Sequence, residues 1–128
     1  MGLGWNVHIK NETSQKITVT HSIDRNWYPN DFSGSFDINS GTEVHKYTEM
    51  KSSGFSPLEK SFLIIGVEIE AQGKASLIEL KGTNGDLEKS FRQLVDGDGF
   101  EIGIQGEPNY KNFRAEKKDH VEVYFTFY

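Results

Sequence analysis

The stretch from Val121 to Tyr128 places an apolar side chain at every second position: Val121, Val123, Phe125 and Phe127 on one parity, Glu122, Tyr124, Thr126 and Tyr128 on the other. Successive side chains leave a strand on opposite sides, so this alternation specifies a strand with one buried and one solvated face. The pattern recurs along the chain. Trp5, Val7 and Ile9 alternate with Asn6, His8 and Lys10, and Ile17, Val19, His21 and Ile23 alternate with Lys16, Thr18, Thr20 and Ser22. This parity turns His21 and Ile23 inward and His8 outward. Phe32, Gly34, Phe36 and Ile38 predict a third strand, followed by the turn chemistry of Asn39-Ser40-Gly41-Thr42 and a weaker, edge-like strand over Glu43 to Thr48. Phe62 to Ile69, rich in β-branched residues, reads as a central strand. Gln72-Gly73-Lys74 then turns the chain into Ala75 to Leu80, and Phe100, Ile102 and Ile104 mark a further strand.

Three segments read differently. Met50 to Pro57 has the composition of a mobile loop, and Gly106 to Asp119 reads as a long polar connection. After the turn signal Asn84-Gly85, Asp86 to Val95 fits a strand face through Leu87, Phe91 and Val95, or a helical face that adds Leu94. The β-rich surroundings favour the strand, with one short helix as the alternative. Short strands with Gly and Asn turns specify an all-β fold: a single-domain antiparallel β-sandwich of about seven to nine strands spanning residues 1–128.

Charge and composition bound the partners. With 19 acidic against 14 basic residues the net charge is -5, which disfavours nucleic acid and makes the average surface repel anionic membranes. The chain has no cysteine, so disulfides, thiol catalysis and the usual structural zinc site are excluded. Met1 to His8 has neither a basic region nor a long apolar core, so no signal peptide is visible; the expected location is cytoplasmic, or outside by a non-classical route. The longest apolar run, Phe62 to Val67, is far short of the roughly 20 residues of a spanning helix. Asn11-Glu12-Thr13 matches a glycosylation sequon.

No catalytic or cofactor signature stands out, and the expectation is that the protein is not an enzyme. The four histidines, His8, His21, His45 and His120, lack zinc-site spacing. Asp96-Gly97-Asp98-Gly99 offers Asp96 and Asp98 as a weak calcium candidate, but Leu94 stands at the first ligand position of the helical-hand motif and Gln105 replaces its final Glu. An ordinary tight turn is the better reading. No Gly-x-Ser-x-Gly elbow is present.

The aromatic residues carry the functional signal. The phenylalanines fall mostly on inward parity, whereas Trp27, Tyr28 and Tyr110 fall in loop-like sequence. Trp and Tyr join a large apolar face to a polar handle, which suits lipid headgroups, sugar rings and protein interfaces. Asp24, Arg25 and Asp31 flank the Trp27-Tyr28 pair and offer charge-assisted hydrogen bonds to a zwitterionic headgroup. The opposing reading is that Trp27 plugs one end of the sandwich.

The segment WNVHIKNETSQKITVTHSIDRNWYPND, followed by FDINSGTEV, resembles the N-terminal half of aegerolysins and of the small β-sandwich component of binary insecticidal crystal toxins. The shared pattern is a strand, an Asn-x-Thr turn, a β-rich strand, a Trp-containing loop and a small polar spacer before the next strand. The ending HVEVYFTF is similar in position and alternation to that family's last strand. The resemblance implies a non-catalytic β-sandwich that recognises a membrane lipid or cell-surface receptor and works with a larger pore-forming partner. Trp27 and Tyr28 would be apolar anchors, Asp24 and Arg25 polar contacts, and Tyr110 a second contact from a late loop. A homo-oligomer is compatible with such a role. A lectin-like carbohydrate-binding module and an intracellular protein-binding or inhibitor domain are the alternatives.

Overall fold

The computed structural model describes residues 2–51, 60–69, 72–82, 90–97, 99–106 and 109–128. The Asn84-Gly85 turn, most of the Met50 to Pro57 loop, the first part of Asp86 to Val95, and Asp98 lie outside the described residues. In chain order the described strands are β1 (Leu3–Asn11), β2 (Ile17–Arg25), β3 (Trp27–Tyr28), β4 (Ser35–Ile38), β5 (Glu43–Met50), β6 (Phe62–Ile69), β7 (Lys74–Gly82), β8 (Arg92–Gly97), β9 (Phe100–Gly106), β10 (Tyr110–Lys117) and β11 (Val121–Phe127), with one 3-10 turn at Asn30–Phe32.

They form two sheets, one ordered β10-β11-β1-β5-β3 and the other β4-β2-β6-β7-β9-β8. The inward parities predicted for β1, β9 and β11 are the buried ones, and β6, read as a central strand, buries Leu63, Ile65, Val67 and Ile69: with Trp5, Val7, Ile9, Phe100, Ile102, Ile104, Val121, Val123, Phe125 and Phe127 these join one buried cluster fed by both sheets. Contact between the sheets is direct, as where Trp5 of β1 meets Phe100 of β9 edge-on at 5.6 Å. The all-β, sandwich-like fold thus follows from the burial of one face of each sheet.

Two features of the strand arrangement depart from the sequence reading. The described strands number eleven instead of seven to nine, because β3 is only two residues long and because Tyr110–Lys117, read as a polar connection, is a strand. A register shift between Lys111 and Arg114, with Asn112 at φ 52°, breaks the alternation of β10 and hides it from a period-two search. The pairing is also not wholly antiparallel: β1 lies parallel to β11, from Trp5 opposite Val121 to Asn11 opposite Phe127. A parallel pair needs a long connection, and here nearly the whole chain supplies it. The described part of Asp86 to Val95 enters β8, a strand.

In β2, a shift between His21 and Ile23 inserts one extra residue opposite β6. Parity reverses beyond it, so Ile23 pairs with the outward Ile64 and is 53% exposed, against the inward expectation, while Asp24 pairs with the core residue Leu63. Asn11, the sequon residue, is fully buried; its side-chain amide donates to the carbonyls of Gln15 at 2.6 Å and Ile38 at 2.9 Å. The folded chain therefore has no free amide there for a glycan.

Candidate functional site

Where β2 ends, the chain crosses from the six-stranded to the five-stranded sheet through one residue, Asn26. Its φ of 57° is left-handed, a region Asn tolerates better than most residues. The Asn26 carbonyl accepts from the Lys51 amide at 3.1 Å, and its side-chain amide donates to the Ser61 hydroxyl at 3.1 Å. These bonds pin the corner to both neighbouring segments. Immediately after it, Trp27 pairs with Met50 and Tyr28 with Glu49 at the rim of β5.

The two rings then part. Trp27 is 2% exposed, packs against Trp5 at 5.5 Å and donates its indole N–H to the Thr48 hydroxyl at 2.7 Å. The expectation of Trp27 as an exposed anchor is corrected: strand alternation at β3 turns it into the core, where it plugs this end of the sandwich. The same alternation turns Tyr28 outward, 50% exposed, with the Lys51 ammonium 4.7 Å above its ring centre. Ile23 stands on the other side of the corner. Together with Tyr128, Ile23 and Tyr28 are the exposed large hydrophobic residues among those described.

The remaining sequence candidates divide. Arg25 is exposed and closes β2 opposite Phe62, within the corner. Asp24 is half-buried, its carboxylate 2.6 Å from the His21 ring nitrogen. Tyr110 is not brought to the corner: it lies on β10, at the opposite edge of the five-stranded sheet from β3. There its hydroxyl accepts from Arg92 of β8 at 2.7 Å, tying the two sheets together, and its ring packs edge-on against Phe113 and Phe125. Asp96 is exposed on β8 opposite Glu101, and among the described residues no group of three or more His, Cys, Asp or Glu is placed to hold a metal ion. Sequence reasoning missed Ile23 and Lys51; a β-bulge and a loop contact put them there, and neither has a local sequence signature.

It also missed the outer face of the five-stranded sheet. Register aligns Arg114, Tyr124, His8 and His45 in one row across β10, β11, β1 and β5. Cross-strand neighbours stand about 5 Å apart, and these rings stack: His8 on Tyr124 at 4.4 Å and 5°, His8 on His45 at 4.2 Å and 25°, with the Arg114 guanidinium 4.1 Å over the Tyr124 ring. In the next row Glu122 accepts from Asn6 at 3.0 Å and lies 3.2 Å from the His8 ring nitrogen. Burial pushes the Glu122 carboxyl up, but the hydrogen bonds from His8 and Asn6 and the positive charge of the neighbouring imidazoles outweigh it and hold it below the ordinary carboxylate range. Tyr47 is raised, first by burial and then by the Glu49 carboxylate, to which its hydroxyl donates at 3.2 Å.

The chemistry of these two places differs. In the outer-face row the central rings cover one another, so that His8 and Tyr124 have no open face on which a sugar could stack. At the corner Tyr28 carries the Lys51 ammonium over its ring on the five-stranded sheet, while Ile23 and Arg25 are exposed at the end of β2 on the six-stranded sheet. No helix among the described residues is long and apolar enough to cross a membrane. Comparison of the chain with protein-family models, with curated proteins and with solved structures gave no match.

Proposed function

We propose that this protein is a non-enzymatic recognition component that engages a lipid surface, or a receptor carried on one, through the corner formed by Ile23, Arg25, Tyr28 and Lys51. The observation that carries the reading is the division at the corner: Trp27 is locked inside while Ile23 and Tyr28 on either side are half exposed. A buried peg holds the flanking apolar side chains outward in a fixed geometry, which lowers the ordering cost of binding. Tyrosine beside a cation matches the headgroup layer of a bilayer, where the ring sits among glycerol groups and the ammonium reaches phosphate. The net charge of -5 favours a zwitterionic surface over an anionic one. The sequence resemblance to aegerolysins adds the expectation of a larger pore-forming partner in a toxin system.

Co-sedimentation with phosphatidylcholine vesicles, with and without sphingomyelin, tests this. The native chain should pellet with vesicles, and Tyr28→Ala and Ile23→Ser should lose binding while keeping the native melting temperature. Binding unchanged in both variants, or no binding to any vesicle or target-cell membrane, sinks the reading.

A further inference from the structure

We propose that the stacked His8–His45 pair makes the seam between β1 and β5 an acid-sensitive clasp, whose double protonation loosens β5 and with it the β3 segment carrying Trp27 and Tyr28. The two residues are direct cross-strand partners with ring centres 4.2 Å apart. As neutral imidazoles they attract like any stacked rings. Imidazoles take up protons between about pH 5 and 8. The Glu122 carboxylate lies 3.2 Å from the His8 ring nitrogen and faces one positive charge on the pair. A second sets two like charges in ring contact, with the Arg114 guanidinium already in the same row.

The surrounding charges do not cancel this. On β1 the next outward residue is Lys10, opposite Glu43 of β5; on β10 Lys111 and Glu116 flank Arg114; on β5 Tyr47 lies one row away, with the His120 ring 6.2 Å from it. Lys10 and Lys111 are both within ion-pair reach of Glu12. The carboxylate in direct contact with the pair is Glu122 alone among the described residues, and it is already shared with Asn6. As pH falls from 7.5 to 5, protons taken up by the two rings add positive charge to the seam.

The topology decides which strand yields. β1 is held on its other side by seven residue pairs with β11, whereas β5 has beyond it the two residue pairs of β3 and the bond from the Tyr47 amide to the Asp31 carboxylate at 2.8 Å. Loosening therefore passes outward, from His45 along β5 to Thr48, the acceptor for Trp27. Its meaning as a control on the recognition corner rests on the function proposed above; the clasp itself is tested without any membrane.

The chain's two tryptophans, Trp5 and Trp27, are both buried and 5.5 Å apart beside Thr48, so their fluorescence reports the seam. Between pH 7.5 and 5 the native protein should show a red shift in emission and easier acrylamide quenching. His45→Phe keeps a ring in the stack but cannot take a proton, and should show neither change; His45→Gln serves as a second neutral variant if the larger ring disturbs folding. His120→Gln should respond as the native chain does. A native protein with no acid response, an undiminished response in the His45 variants, or a response abolished by His120→Gln overturns the clasp. Vesicle binding plays no part in these readouts, so failure of the lipid reading leaves them intact.

Discussion

The Trp27 indole N–H donates to the Thr48 hydroxyl at 2.7 Å, and that hydroxyl donates in turn to the Tyr28 carbonyl at 2.9 Å. One buried threonine on β5 thus holds both residues of β3, which has only two backbone pairings of its own. Thr48→Val keeps the shape but strands a buried donor, and should lower stability by about 1–3 kcal/mol in urea unfolding. Trp27→Ala, which also opens a cavity, should cost about 3–5 kcal/mol. A Trp27→Ala protein of native stability that had lost binding would show that the ring acts at the surface after all.

Trp5 offers an internal control. It is equally buried, but its indole nitrogen has no acceptor among the described residues. Replacing either tryptophan by Phe removes similar apolar volume, so the difference between the two variants isolates the hydrogen bond. Trp27→Phe should be less stable than Trp5→Phe by about 1 kcal/mol, measured by chemical denaturation under one set of conditions.

Gly106 closes β9 at φ 107°, and a Cβ there would lie 2.4 Å from the Ala75 carbonyl oxygen. Backbone cannot move aside as a flexible side chain can. Gly106→Ala should therefore destabilise by at least about 1–3 kcal/mol from backbone strain alone. Gly34, where a Cβ meets nothing within 4 Å and φ is not positive, should accept alanine within about 1 kcal/mol of neutral. Equal melting temperatures for the two variants would refute this account of the β7–β9 register.

Glu122 links the outer face to acid stability. Its folded carboxyl titrates below the ordinary range, so its contribution is fully present above the unfolded value of about 4.3 and is lost as pH falls through the lower folded value. The native chain should therefore lose more stability between pH 5 and pH 3 than Glu122→Gln does. Parallel pH profiles for the two would mean that the contacts with His8 and Asn6 do not favour the charged carboxylate.

Particular residues show how far local pattern reaches. The buried faces of β1, β9 and β11 were legible, because each of these strands keeps strict alternation and burial on one face is a local consequence of that period, whereas the continuous apolar run of β6 marked a central strand without saying which face is inward. Ile23 and the β10 strand were not, since a single inserted residue reverses or interrupts parity and nothing in the flanking residues announces it. Trp27 shows a subtler limit. Its neighbours read as loop, and whether it plugged the core or faced solvent depended on two backbone pairings with a strand some twenty residues further on.

The period-two pattern was therefore sufficient for an all-β chain and for most of its core, since each strand declares its own apolar face. Which strands lie side by side is decided by contacts between distant segments, and so is everything that depends on neighbours. The parallel closure of β1 on β11, the separation of Tyr110 from Tyr28 by the width of a sheet, and the row Arg114–Tyr124–His8–His45 all arise only when the strands take their places. Alternation gives each of those side chains a face; register across strands far apart in the chain gives it a partner.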